Sequence, residues 1–426
     1  MSVRGQTLPA AQPTRRARTF LRHVPPVAVP VHAIDLRSGV AALLRPAGSV
    51  EQLCADLEAR TGSSYCGLVS SGRSALAAIL LALKRLSKRT KVAVPAYGCP
   101  TVVQSILFAG LEPVLCDVSP RTLDLDPAAL DRLPKDDLLA IVPTHLYGLA
   151  QDITGLLSMG REHGFFVIED AAQAFGARSQ GQMVGTRGDA GFYSLGRGKC
   201  LPVGHGGVIV AGGRLGVAIE ELLRSTPGYG QGAPSPFGSL ALFLGYGLAT
   251  NPAGWWLVVR TSLNPASEGM DLRALPPIRL GRLSAVQAAV ARSILARLGH
   301  LQQVWRNNAA RLIATLAEVD GAQVPEIPPG SDPVYLRLPF VTGSPEQANA
   351  LYDRLREEGI GVSRSYVRSL PDLYSERLGL DPSAFPGASR LARCLLTLPT
   401  HSYLREDDFA RIDHALRAVP RGHSIG

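Results

Sequence analysis

The chain has 426 residues, 46% of them hydrophobic and 19% charged, which is enough for two or three packed domains and too apolar for an extended, solvated chain. Its formal net charge of +9 is placed unevenly, because Arg4, Arg15, Arg16, Arg18 and Arg22 all precede the first acid, Asp35. The remainder is only mildly basic, and no aromatic interleaving or zinc-ligand spacing accompanies the basic segment, so nucleic-acid binding is not indicated.

Residues 1–34 read as a flexible, basic, Pro-containing arm. Thr14-Arg15-Arg16 followed by Phe20-Leu21 has the outline of a twin-arginine signal, but Pro25, Pro26 and Pro30 break the apolar stretch that such a signal needs. The six cysteines, Cys54, Cys66, Cys99, Cys116, Cys200 and Cys394, form no CxxC pair, which argues against a zinc site or a disulfide framework and for a reducing cytoplasm.

After the arm, residues 50–58 predict an amphipathic helix, and Ser70-Ser71-Gly72-Arg73-Ser74 opens a strongly apolar helix ending near Leu86. Strand and helix then alternate: strands at 92–95, 113–117, 138–143 and 165–170, with a helix at 101–109. Short loops between such elements predict right-handed crossovers and a largely parallel sheet covered by helices on both faces. Ligands gather at the C-terminal ends of strands in such sheets, and Tyr97, His145, Asp170 and Ser194 all fall at or just after expected strand ends. Helix dominates 285–317, and strands at 334–339 and 361–364 flank a helix at 345–358. The expected organisation is a large domain over 35–275, with an apolar insert at about 239–263, and a small C-terminal α+β domain over 276–426.

Two stretches carry chemistry. Phe165-Phe166-Val167-Ile168-Glu169-Asp170 ends an apolar strand on an acid, and Ser194-Leu195-Gly196-Arg197-Gly198-Lys199 holds a lysine on a small-residue loop. Asp170 reads either as a strand-end carboxylate capping the next helix or as the partner of a protonated pyridine nitrogen. Lys199 reads either as a solvated surface lysine or as an amine that bonds a carbonyl cofactor, so together they point to pyridoxal 5′-phosphate. Ser71-Gly72-Arg73-Ser74 opens a helix whose N-H groups can hold a phosphate, although N-capping alone accounts for Ser71. Tyr97 can stack on a ring or sit in the core, and Gln173 lies one helical turn after Asp170.

In order along the chain, Ser71-Gly72-x-Ser74-Ala75-Leu76, Val94-Pro95-Ala96-Tyr97, His145-Leu146-Tyr147-Gly148, Ile168-Glu169-Asp170-Ala171-Ala172-Gln173-Ala174, Gly188-Asp189-Ala190-Gly191-Phe192-Tyr193-Ser194 and Lys199 resemble the DegT/StrS family of sugar aminotransferases. The likeness resumes at Arg282-Leu283-Ser284-Ala285-Val286-Gln287 and again from Phe385-Pro386 to Leu398-Pro399-Thr400-His401. The resemblance implies a fold-type I pyridoxal phosphate-dependent transferase, with a mostly parallel seven-stranded sheet, acting as a homodimer. It makes Lys199 the catalytic, cofactor-bound lysine, Asp170 the partner of the ring nitrogen and Gln173 a contact to the ring oxygen. Ser194 with Gly72 and Arg73 becomes the phosphate cradle, and Tyr97 the cover of one ring face. The implied reaction moves an amino group, from glutamate, to a keto sugar carried by a nucleotide.

The chain departs from the family at two points. The asparagine that reaches the neighbouring subunit's cofactor phosphate is Leu280 here, and the usual threonine of the phosphate turn is Arg73. The stretch between Lys199 and Arg282 is also long, with an uncharged run over 240–259. Gly245, Gly247, Asn251, Pro252 and Gly254 interrupt that run, so it reads as two apolar segments joined by an Asn-Pro turn. These segments form a buried hairpin or dimer contact, a surface dipping into a membrane interface with Trp255 and Trp256, or a span. Two other functions stay open: a dehydratase or lyase on a related sugar, and a membrane-associated, non-catalytic partner in envelope polysaccharide synthesis. Arg364, Tyr366, Arg368 and His401 are candidate substrate contacts.

Overall fold

The computed structural model describes residues 22–227, 229, 235–261 and 277–418. Seven strands form the main sheet and are numbered in chain order: β1 Tyr65–Val69, β2 Lys91–Pro95, β3 Glu112–Cys116, β4 Leu138–Ile141, β5 Phe166–Asp170, β6 Ala190–Ser194 and β7 Gly207–Ala211. Their spatial order is β1-β7-β6-β5-β4-β2-β3. All neighbours run parallel except β7, which is antiparallel to both β1 and β6. The expected mostly parallel sheet is therefore present. β7 was not among the expected strands, because Gly207-Val208-Ile209-Val210-Ala211 is too short an apolar run to tell from a buried helical segment.

The sequence builds this sheet because its central strands are continuous apolar runs, as burial on both faces requires. Neighbouring residues divide between two cores. Phe192 and Ile209 join Ile79, Leu83 and Val103 on one side, while Tyr193 and Val210 join Leu53, Val290 and Ile294 on the other. The helix Gly72–Leu86 lies in the first layer and is buried continuously from Ser74 to Leu80, as its strongly apolar sequence requires.

The helix Ala285–Leu316 connects two parts of the molecule. Its first half packs in the second core up to Trp305, and Ala309, Leu312 and Leu316 enter a third core with Leu338, Phe340, Leu351 and Ile412. That third core lies under a two-stranded antiparallel sheet, Arg337–Val341 with Leu395–Pro399. The strand expected at 334–339 starts later, at Arg337, and the one expected at 361–364 reduces to a single bridge between Ser363 and Thr397. Asp117, just past β3, ties the C-terminal part to the main sheet, accepting from the Gly387 and Ala388 N-H groups at 2.9 and 2.8 Å. These two donors open the helix Pro386–Cys394, so the carboxylate also answers its dipole.

Of the arm expected over 1–34, residues 1–21 lie outside the described residues. From Arg22 onward the chain is packed: Val24, Ala28 and Val29 are buried, and Val24 pairs with Ile360. The apolar insert is two helices, Pro236–Thr250 and Pro252–Arg260, divided at Asn251-Pro252 as its composition predicts. Asn251 caps the second helix, accepting from the Ala253 and Gly254 N-H groups at 3.1 and 2.9 Å. Among the described residues, no helix is long and apolar enough to cross a membrane.

Candidate active site

β5 presents two adjacent carboxyls, which point to opposite faces because strand side chains alternate. Glu169 faces a buried polar layer, where it meets the Gly185, Arg187 and Gly188 N-H groups at 2.8, 2.6 and 2.7 Å and His145 Nε2 at 3.0 Å. The Gln151 N-H donates to His145 Nδ1 at 3.1 Å, so Nδ1 is the acceptor and the ring is neutral, with its proton on Nε2 toward Glu169. Burial alone would raise the Glu169 pKa, but the His145 bond and the N-H donors outweigh it and hold the group below the ordinary range.

Asp170 is buried with less support. Its Oδ1 accepts from the Ala172 N-H at 3.0 Å. Desolvation raises this carboxyl, against the Ala172 donor and the nearby Lys199 amine. Its backbone is fixed on both sides, donating to Pro143 O and accepting from the His145 N-H, each at 2.9 Å. The carboxyl thus lies at the C-terminal end of the central strand, facing a cavity with room for a cationic partner.

Asp170 opens onto a cavity of about 200 Å³, lined also by Gly72, Arg73, Gln173, Ser194 and Lys199. The structure therefore brings together six of the seven expected site residues. Lys199 follows β6 on a loop in which Gly198 adopts φ 69°, a left-handed conformation that favours glycine. Burial lowers the Lys199 pKa, helped by Arg337 and opposed by Cys99 and Asp170. A lowered pKa increases the neutral fraction of the amine at a given pH, the state a nucleophile requires.

Gly72 begins its helix directly against Ser194: a Cβ there would lie 3.1 Å from Ser194 Cβ, so glycine lets the helix start and β6 meet. Ser71 caps the helix by accepting from the Ser74 N-H at 3.1 Å. The Gly72 and Arg73 N-H groups have no intrahelical acceptor and face the same opening. Gln173 Nε2 donates to Tyr366 Oη at 3.0 Å, and its Oε1 accepts from Arg337 Nη2 at 3.2 Å.

Tyr97 departs from expectation. It is buried and is not among the lining residues. Its hydroxyl lies 3.3 Å from that of Tyr147, and its ring meets Tyr366 edge-on with centroids 5.6 Å apart. Tyr97 supports Tyr366 from behind, and Cys99, two residues further on, lines the cavity instead. The reason is geometric: Tyr97 lies in the bend that follows β2, where its ring packs into the core.

Of the four candidate substrate contacts, only Tyr366 lines the cavity. His401 Nε2 bonds Pro25 O at 2.8 Å, and burial pushes this ring down to about 4. Arg364 lies over the Tyr352 ring, and Arg368 donates to Asp372 O. Arg337, which sequence reasoning missed, reaches the site from the two-stranded sheet and lies over the Tyr147 ring. A lone arginine at a strand start gave no signal for it. Leu280 lines a second cavity, of about 540 Å³, which shares Arg73 with the first and includes Arg279 and His205.

A buried acid at a strand end, a desolvated lysine and a glycine-opened helix around one cavity define a cofactor-dependent transferase site on a doubly covered α/β sheet. Comparison with known proteins gives the family and the fold. The chain matches the DegT/DnrJ/EryC1/StrS aminotransferase family over residues 41–227 and 279–417, and it belongs to that family. It is 27% identical over 410 residues to the UDP-N-acetyl-3-dehydro-alpha-D-glucosamine 3-aminotransferase of Acidithiobacillus ferrooxidans, covering 94% of this chain and 98% of that one. It is 35% identical over 167 residues to the GDP-perosamine synthase of Caulobacter vibrioides, spanning 38% of this chain and 45% of that protein. A putative sugar aminotransferase of Streptococcus pneumoniae, solved in its PLP form, superposes with TM-score 0.73 at 19% identity, over 92% of this chain and 97% of that one. The fold is that of fold-type I aminotransferases, as the sequence led us to expect.

Proposed function

We propose that this family member uses pyridoxal 5′-phosphate to move an amino group, from glutamate, to a keto sugar carried on a nucleotide, and that it works as a homodimer in the cytoplasm. The observation that carries this reading is the pairing of Asp170 and Lys199 on one cavity. The residues present suit the cofactor. Asp170 is a buried carboxyl whose raised pKa a cationic ring nitrogen would bring down, and Gly72 leaves an opening at a helix start beside the Ser194 hydroxyl. The UDP-sugar aminotransferase of Acidithiobacillus ferrooxidans, as a relative, and the free state of all six cysteines support the substrate class and a reducing compartment respectively.

Bound there, pyridoxal 5′-phosphate supplies an electron sink for the pair left when a substrate C-H bond breaks. Asp170 would hold a proton on the ring nitrogen through its charge. The Gly72 and Arg73 N-H groups, the Arg73 guanidinium and Ser194 Oγ would hold the phosphate, and Gln173 would contact the ring oxygen. Lys199 Nζ, whose pKa burial lowers, would be the amine that holds the cofactor covalently and, when free, the group that moves a proton at the substrate carbon. Tyr366, from the region we read as the small domain at 276–426, lines the cavity, and Arg337 from the same region bonds Gln173 beside it. Retention of Lys199 weighs against the dehydratase reading, because dehydrating relatives typically have histidine at that position.

Spectroscopy tests the assignment. Purified protein loaded with the cofactor should show a visible band that glutamate bleaches, and Lys199→Ala should lose covalent attachment along with turnover, by roughly three or more orders of magnitude. A band unmoved by any amino donor would overturn the aminotransferase reading. Covalent attachment surviving in Lys199→Ala would overturn the residue assignment while leaving the reaction open.

A further inference from the structure

The insert helix Pro236–Thr250 contains no charged residue and is apolar on every side. One side is explained. Ser239, Phe243 and Tyr246 are buried, with Ser239 Oγ bonded to Ser284 Oγ at 3.0 Å, Leu240 against Gly39 and Gly247 against Val31. The opposite side carries Phe237, Ala241, Leu244 and Leu248, at helical spacing. Phe237 is 74% exposed and Leu248 69%, and Leu257 on the next helix is 58% exposed. An aliphatic and aromatic stripe of this size is uncommon on a surface that meets only water.

The segment that forms the stripe holds no negative charge. No acidic residue occurs between Glu221 and Glu268, while the second insert helix carries Trp255 and Trp256 and ends on Arg260, whose guanidinium lies 4.5 Å from the Trp256 ring centre. The basic N-terminal segment enters the described structure at the same place: the His23 N-H donates to Pro252 O at 2.9 Å, at the start of that helix. Arg4, Arg15, Arg16 and Arg18 therefore belong to a segment that joins the fold beside the insert.

We propose that the insert docks this protein on an anionic lipid surface, with Phe237, Leu244, Leu248 and Leu257 entering the headgroup boundary and the arginines drawn to lipid phosphates. Tryptophan and arginine bordering an aliphatic stripe match the division of a membrane interface, apolar below and anionic above. Apolar insertion and a basic segment are also the two signals that together give stable attachment. A second copy fits less well, because a two-fold contact would set the same positive border against itself.

Flotation of the full chain with phosphatidylcholine vesicles, with and without phosphatidylglycerol, tests this. We expect co-flotation with the anionic vesicles, weakened by salt, and quenching of tryptophan fluorescence by brominated lipid. The Phe237→Ser/Leu248→Ser variant should lose about tenfold in apparent lipid affinity with an unchanged thermal melt, since both side chains face outward. Replacing Arg15, Arg16 and Arg18 by glutamine should remove the preference for phosphatidylglycerol. Failure to float with either vesicle would overturn the proposal. So would an oligomer in solution that Phe237→Ser/Leu248→Ser dissociates, since the stripe would then be a protein interface.

Discussion

The two faces of β5 treat neighbouring carboxyls in opposite ways. Glu169 is ionised, and three N-H groups and a neutral imidazole surround it, so its charge is fully answered inside the protein. Asp170, one residue on, has the Ala172 N-H and the more distant Lys199, and its pKa moves up where that of Glu169 moves down. Burial is common to both, so the difference lies in the number of donors aimed at each. A carboxylate satisfied by its own chain is architecture, whereas one left short of donors at a strand end can accept charge from something that binds.

The contrast can be broken from either side. Asp170→Asn should have the largest effect on catalysis, a loss of roughly hundredfold or more in kcat, because it removes the charge that holds the ring proton. In the cofactor-free protein the same change should stabilise. A carboxyl whose folded pKa is raised contributes stability that is complete below its unfolded pKa and is lost as pH rises through the folded one, so at pH 7 the neutral amide is better tolerated. Thermal melts of wild type and Asp170→Asn, with and without cofactor, should therefore cross. An Asp170→Asn protein that is less stable without cofactor would show that Asp170 is structural.

Glu169→Gln should do the reverse, with a loss of about 3 kcal/mol in stability and little direct effect on the chemistry once folded. The new NH₂ would confront N-H groups that now donate to oxygen. Denaturant unfolding would measure this, and a loss under about 0.5 kcal/mol would mean that the polar layer is more adaptable than its geometry implies.

Much of this was legible in the sequence, for identifiable reasons. Asp170, Lys199, Gly72 and Ser194 sit at strand ends or helix starts, where local chain geometry dictates which way a side chain points. Arg337 and Tyr366 were harder, since they meet Gln173 from some 140 to 200 residues beyond Asp170 and Lys199, a distance that no local pattern encodes. The insert was half legible: Asn251-Pro252 announced the break, but composition could not separate a buried apolar helix from one with an open face. Only Ser239, Phe243 and Tyr246 packed inward reveal the exposed stripe opposite.

Tyr97 is the finest test of the site, since the sequence placed it over the cofactor and the structure places it behind Tyr366. Tyr97→Phe removes one hydroxyl from a 3.3 Å contact with Tyr147 and leaves the edge-on packing with Tyr366 intact. A buried neutral hydrogen bond contributes about 1 kcal/mol, so stability should fall by no more than that, with Tyr147 left to find another partner. Cofactor affinity, followed by titration of the visible band, should change by less than about threefold, because a supporting ring acts only through the position of Tyr366. Tyr97→Leu separates the two placements more sharply. A residue stacked on the cofactor would lose affinity in proportion to the missing ring, whereas a residue behind Tyr366 would lose stability first and bind the cofactor nearly as before.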